Sequence, residues 1–207
     1  MRRLAALAAL AMLAASAGPA LSQDAGGKEP EPEVLVRPGT RHGGWGGPVV
    51  MISRLADRDA VLVGGRGGWI VDGRATVGLA GFGVANDVRA PRALQPETGT
   101  NDLELGYGGL WLEYTVRPLR LVHVSFGALV GGGGIQLVRR DGGDVGPDDA
   151  FFVVEPTAEV ELNLARSVRA DVGVSYRWVN GVGLGRTLDD GDVRAFGVSL
   201  GLKFGSF

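Results

Sequence analysis

Cysteine is absent from the chain. Disulfides, thiolate metal sites and a lipid-modified cysteine anchor are therefore excluded. Histidine is nearly absent too: only His42 and His123 occur, far apart in sequence, which gives no histidine cluster for a transition metal. No excess of positive charge is present, the formal net charge being −2, so there is no electrostatic case for nucleic acid as a partner. Long apolar runs are also missing. The longest, from Leu4 to about Ala15, falls short of the roughly 20 residues a spanning helix requires.

That run follows Met1-Arg2-Arg3 and precedes small residues around Ala17 and Ser22, the layout of a secretory leader. A signal peptide is expected over residues 1–22, with cleavage after Ser22 preferred over cleavage after Ala17. Its removal takes away Arg2 and Arg3 and moves the formal charge from −2 to −4. The next stretch, 23–42, contains EPEPEV and has no period, so it reads as a flexible periplasmic lead-in.

What is abundant is glycine, 36 residues of 207, well above the usual share of about 7%. The glycines lie inside runs rich in Val and Leu, where they normally weaken a strand, so their number asks for a steric reason. From 43 to 207 no helical period stands out. About eight alternating runs are expected as strands, at roughly 47–55, 59–71, 74–85, 103–117, 120–138, 150–164, 167–179 and 193–205.

The later runs alternate most cleanly. Glu155, Thr157, Glu159, Glu161 and Asn163 share one face, opposite Phe152, Val154, Ala158, Val160 and Leu162. Arg169, Asp171, Gly173, Ser175 and Arg177 oppose Val168, Ala170, Val172, Val174, Tyr176 and Trp178. Three features choose a membrane barrel over a soluble sandwich. The polar face mixes charges with Gly and Ser, as a narrow lumen filled by a few large side chains requires. Trp69, Tyr114, Tyr176, Trp178 and Phe204 fall near strand ends on the apolar face, like an interfacial girdle. Links at 71–74, 117–119 and 165–167 are tight, whereas 86–102, 139–149 and 180–192 are long, matching short periplasmic turns and longer outer loops. The link near Ala56-Asp57-Arg58 is the short exception among the outer ones.

The fold expected is thus all-β: an eight-stranded antiparallel up-and-down transmembrane β-barrel over 43–207, with both termini periplasmic. The alternating runs, the leader and the terminal phenylalanine resemble the small eight-stranded outer-membrane barrels typified by the OmpA transmembrane domain and OmpX. VGGRGGWIVDGR (63–74), ELGYGGLWLEY (104–114) and DAFFVVEPTAEVEL (149–162) also resemble a family of Gly-rich barrel proteins in Gram-negative bacteria. This resemblance implies the fold and a cell outer membrane location, with outer-membrane lipid, lipopolysaccharide and the barrel-assembly machinery as partners. It implies no activity and no cofactor. Such barrels end with an outward terminal Phe, whereas here Phe204 has that parity and Phe207 does not.

The candidate site is the set of charges on the inward face: Arg66, Glu113, Arg117, Glu155, Glu159, Glu161, Arg169, Asp171, Arg177 and Lys203. Buried charges must pair, so both signs in one lumen predict a ladder of ion pairs that plugs the barrel. The expected role is non-enzymatic, structural or surface-interacting, with a small low-conductance channel as the alternative. A lipid-modifying hydrolase is the remaining reading. It rests on His123 and Ser125, whose spacing is similar to the His-x-Ser pair of lipid A deacylase barrels. This pair follows a turn assigned to the periplasm, however, and His123 reads better as a lumen hydrogen-bonding residue. GGRGGW (64–69) lacks the Lys-Ser/Thr and helix of a phosphate loop, and the acidic stretch from Asp141 to Asp149 reads as a solvated loop that could hold a divalent cation.

Overall fold

The computed structural model describes residues 41–97, 99–140, 148–184 and 187–207. The expected leader and nearly all of the lead-in lie outside them. Among the described residues there are nine strands: β1 (His42–Leu55), β2 (Arg58–Val71), β3 (Ala75–Val84), the stub β4 (Val88–Arg89), β5 (Asn101–Val116), β6 (Val122–Arg139), β7 (Asp148–Ala165), β8 (Val168–Asn180) and β9 (Ala195–Ser206). All neighbours pair antiparallel. Pairing of β3 with β5, and of β1 with β9, closes a ring of eight staves in the order β1, β2, β3, β5, β6, β7, β8, β9. β4 is an outlying two-residue bridge to β5, not a stave.

Period-2 patterning carries through to the structure. Val50, Ile52, Val77, Leu79, Val160, Val172, Val174, Phe196 and Leu200 point outward; Leu79 is 68% and Phe196 76% exposed. A soluble protein rarely shows so continuous an apolar exterior; lipid is the solvent that makes it favourable. Aromatic side chains collect towards both rims: Tyr176 packs on Phe196 and Phe152 on Trp178 near the long loops, while Trp69 stacks on His42 near the termini.

Both hairpin turns with a positive-φ pair are of the primed kind that matches strand twist. Asp72 (φ 53) and Gly73 (φ 63) join β2 to β3. Ala56 (φ 48) and Asp57 (φ 60) join β1 to β2. Alanine is an unusual choice there, and its N–H is held by the Asp192 carbonyl at 2.8 Å, which ties the short β1–β2 turn to the segment just ahead of β9.

The glycines have two steric reasons. On the concave side of so narrow a barrel, facing Cβ positions converge. Gly109 pairs with Gly131 and Gly68 with Gly78, and a Cβ on any of them would lie within 2.6 Å of the neighbouring strand's backbone. Elsewhere glycine makes room for a large inward side chain: Gly127 for the Trp111 ring, Gly201 for the Asp171 carboxylate, Gly173 for Glu159.

Candidate functional site

The lumen is filled in two tiers. Towards the loop end it is lined by Leu55, Leu62, Phe82, Leu103, Leu105, Ile135, Leu137, Phe151, Val153 and Val179, all buried. Val182, Leu184, Leu188 and Val193 of the last loop join the same cluster from above. That loop is folded in its own right: a four-residue helix, α1 (Asp190–Val193), carries a capping box between Asp189 and Asp192, and Asp190 accepts from the Val182 N–H at 2.8 Å. The Asp149 carboxylate accepts from the Gly183 N–H at 2.6 Å, tying the loop to β7.

Towards the turn end the filling is ionic. Arg66 of β2 is bonded to Glu159 of β7 and, at 2.7 Å, to Asp171 of β8. Lys203 of β9 donates at 2.7 Å to Glu113 of β5 and at 2.7 Å to Glu161 of β7, with Glu159 at 3.4 Å. β2 and β7 are four staves apart in the ring of eight, and so are β9 and β5. Two ion pairs therefore cross the lumen along two different diameters. Indole rings line the crossing: Trp111 lies 5.0 Å from the Arg66 guanidinium and Trp45 4.3 Å from the Lys203 ammonium.

His123 and Ser125 belong to this tier. The His123 Nε2 lies 3.1 Å from Glu161 and its Nδ1 3.0 Å from the Arg120 carbonyl oxygen. Each ring nitrogen thus faces an oxygen of the lumen wall. Ser125 donates to Glu159 at 3.3 Å and is fully buried. A base that must take a serine proton has to face that serine, whereas here the Ser125 hydroxyl is given to Glu159 and the two ring nitrogens face Glu161 and the Arg120 carbonyl.

Of the expected charges, Arg66, Glu113, Glu159, Glu161, Asp171 and Lys203 are brought into one cluster, and Arg169 joins its edge at 3.5 Å from Glu161. Glu155 and Arg177 form a separate level above it. Tyr107 donates to Glu155 at 2.6 Å, while Arg177 donates to the carbonyls of Val193 (2.9 Å) and Arg54 (2.8 Å), fastening two segments at the loop end. Arg117 corrects the expectation: it is exposed in the β5–β6 turn at φ 54, because the strand stops at Val116 and the turn swings the side chain out of the lumen. Phe207 keeps inward parity; its ring packs 3.8 Å from the Arg169 guanidinium.

Sequence reasoning passed over Tyr107, Trp45, Trp111 and Thr76. Each sits at inward parity among apolar or glycine neighbours, so alternation gave no polar signal. Glu113, Glu159 and Glu161 place oxygens within 4.8 Å of one another, a spacing that could hold a metal ion. The Lys203 ammonium already bonds all three, so this cluster carries its own cation. The acidic stretch around Asp141–Asp144 lies outside the described residues.

A comparison with protein families matched none, and one with curated proteins also matched none. Solved structures do match in fold. Neisserial surface protein A superposes with a TM-score of 0.54 at 14% identity, covering 81% of this chain and 99% of that one. The N-terminal β-barrel domain of Pseudomonas aeruginosa OprF gives 0.51 at 12% identity, with 80% and 98% covered. Ail of Yersinia pestis, in complex with the heparin analogue sucrose octasulfate, gives 0.50 at 12%, with 80% and 98% covered. The chain thus has the fold of the small Gram-negative outer-membrane barrels.

Proposed function

We propose that this chain is a non-enzymatic outer-membrane barrel whose axis is sealed, and whose ordered loop end is the surface it presents outside the cell. The observation that carries the reading is the pair of ion bridges spanning the lumen between opposite staves, Arg66 to Glu159 and Lys203 to Glu113. An eight-stranded barrel is only wide enough for side chains to fill, and among the described residues the filling comes in levels: an ionic tier below, Glu155 and Arg177 above it, an aliphatic tier, and α1 with its neighbours on top. An ion crossing it would have to displace the Lys203 ammonium, pass the buried Glu155 and Arg177 level and then enter the aliphatic tier, where a bare charge costs several kcal/mol or more.

The apolar exterior and the aromatic rims support this placement in the membrane, and loop length supports the tight turns and both termini on the periplasmic side. The test has two parts. Membrane fractionation should find the protein in the outer membrane as a heat-modifiable band on gels. In planar bilayers the refolded chain should show no stepwise conductance. Unitary steps in the unmodified protein, abolished by Glu159→Ala or Arg177→Ala, would overturn the sealed reading in favour of a channel.

A further inference from the structure

At the turn end, beneath the ionic tier, the barrel opens into a recess of about 560 Å³. Three stretches distant in sequence build its wall: Arg74 from the β2–β3 turn, Arg117 and Arg120 from the β5–β6 turn, and Arg169 from the start of β8, with Arg41 ahead of β1. Asp72 is the one acid among the lining residues. Arg41, Arg74, Arg117 and Arg120 are exposed, and none is in an ion pair with a described residue.

Arg169 is the different one. It is only 7% exposed, its long contact to Glu161 is 3.5 Å, and its Nε is buried without a hydrogen-bond partner. A buried cation with an unused donor thus lines a recess ringed by further guanidiniums. A guanidinium fork matches a pair of oxygens on a phosphate, and several around one recess hold an oxyanion with several acceptor oxygens far better than a single surface arginine does. The rim adds a second chemistry. Leu119 lines the recess at 81% exposure and Leu121 follows at 67%, beside the outward-facing Val122 and Leu162.

We propose that this arginine-lined mouth binds a phosphate group, and that the phosphate is the headgroup of an anionic phospholipid in the leaflet on the turn side. The leucines at the rim receive the upper acyl chain while the guanidiniums take the headgroup. The lipid half of the proposal rests on the membrane reading above; the phosphate half does not.

Native mass spectrometry of the full chain, refolded in neutral detergent, tests both halves with phosphatidylglycerol, with phosphatidylcholine of the same acyl chains, and with inorganic phosphate. Phosphatidylglycerol should be retained about tenfold or more over phosphatidylcholine, and Arg74→Gln/Arg117→Gln/Arg120→Gln should bring it down to the phosphatidylcholine level. Arg166→Gln, a turn arginine outside the recess, should change nothing. Heat-modifiable mobility of each sample reports folding and the membrane reading separately. Displacement of phosphatidylglycerol by an equal concentration of inorganic phosphate would overturn the lipid source and keep the phosphate site. Equal retention of both lipids by a folded protein that also holds no inorganic phosphate, or an Arg166→Gln loss as large as that of the triple variant, would overturn the site itself.

Discussion

The two halves of the lumen do the same job with opposite chemistry. Near the loops, Leu103, Leu105, Ile135 and Phe151 close the barrel by close packing, and any one of them could be exchanged for a neighbour in size without a partner noticing. Near the turns, Arg66, Lys203 and four carboxylates close it by ion pairing, with Arg169 at the edge. Each ion there is tolerable only because the others are present. The aliphatic half is a sum of local contacts, whereas the ionic half is one cooperative object spanning five staves. A narrow barrel can therefore be filled by either route, but only the ionic route fixes which staves face which across the ring.

The sharpest way to break this contrast is Lys203→Met, which keeps the apolar stem and deletes the charge. Three carboxylates, two of them at 2.7 Å from the lost ammonium, are then left facing each other in the buried lumen. Stability against urea in lipid vesicles should fall by about 3 to 5 kcal/mol. Adding Glu161→Gln should recover part of that loss, because the second change removes the stranded charge. Two losses that simply add would show that the ionic tier is not a unit.

The contrast also explains what was legible beforehand. Strand number, closure and the inward set on β7 and β8 are written in strict alternation, where Glu159 and Asp171 flank Val160 and Val172. The partners are not, because Arg66 and Glu159 meet only after the ring closes, 93 residues apart. The aliphatic tier is harder still: around Phe151–Val153 apolar residues occupy the lumen as well as the exterior, and at Leu103–Leu105 the polarity inverts, the leucines facing in and Glu104 facing out. Arg117 misled because parity was extended one residue past the end of β5, into a turn that reverses it. The seal by Leu184 and Leu188 was illegible since it depends on a loop folding back by tertiary packing.

A middle-sized effect is expected from Leu105→Ala in the aliphatic half. The cavity left by a buried leucine costs about 2 to 4 kcal/mol. What distinguishes it from the ionic half is independence: the same loss should appear in the wild-type background and beside Glu161→Gln, since the two sites share no partner. Parallel urea curves in the two backgrounds would check this. A loss that depended on the background would mean that packing in the upper tier is transmitted to the charges below, and that the two halves are one.

The smallest effect is expected at the boundary between the halves, where Tyr107 stands with its ring among apolar neighbours and its hydroxyl on Glu155 at 2.6 Å. Tyr107→Phe retains the ring, its tilted contact with Phe82 and its place 5.6 Å from the Arg177 guanidinium, and removes only the O–H. Glu155, 2% exposed, then loses a donor in a buried setting, a change worth about 1 to 2 kcal/mol. Because Arg177 bonds the Val193 and Arg54 carbonyls rather than Glu155, the loop end should stay fastened, and hydrogen exchange in the 181–194 loop should be unaltered. Faster exchange there would show that the Tyr107 hydroxyl holds the loop seal in place through Arg177, so that the ionic and aliphatic closures meet in this one residue.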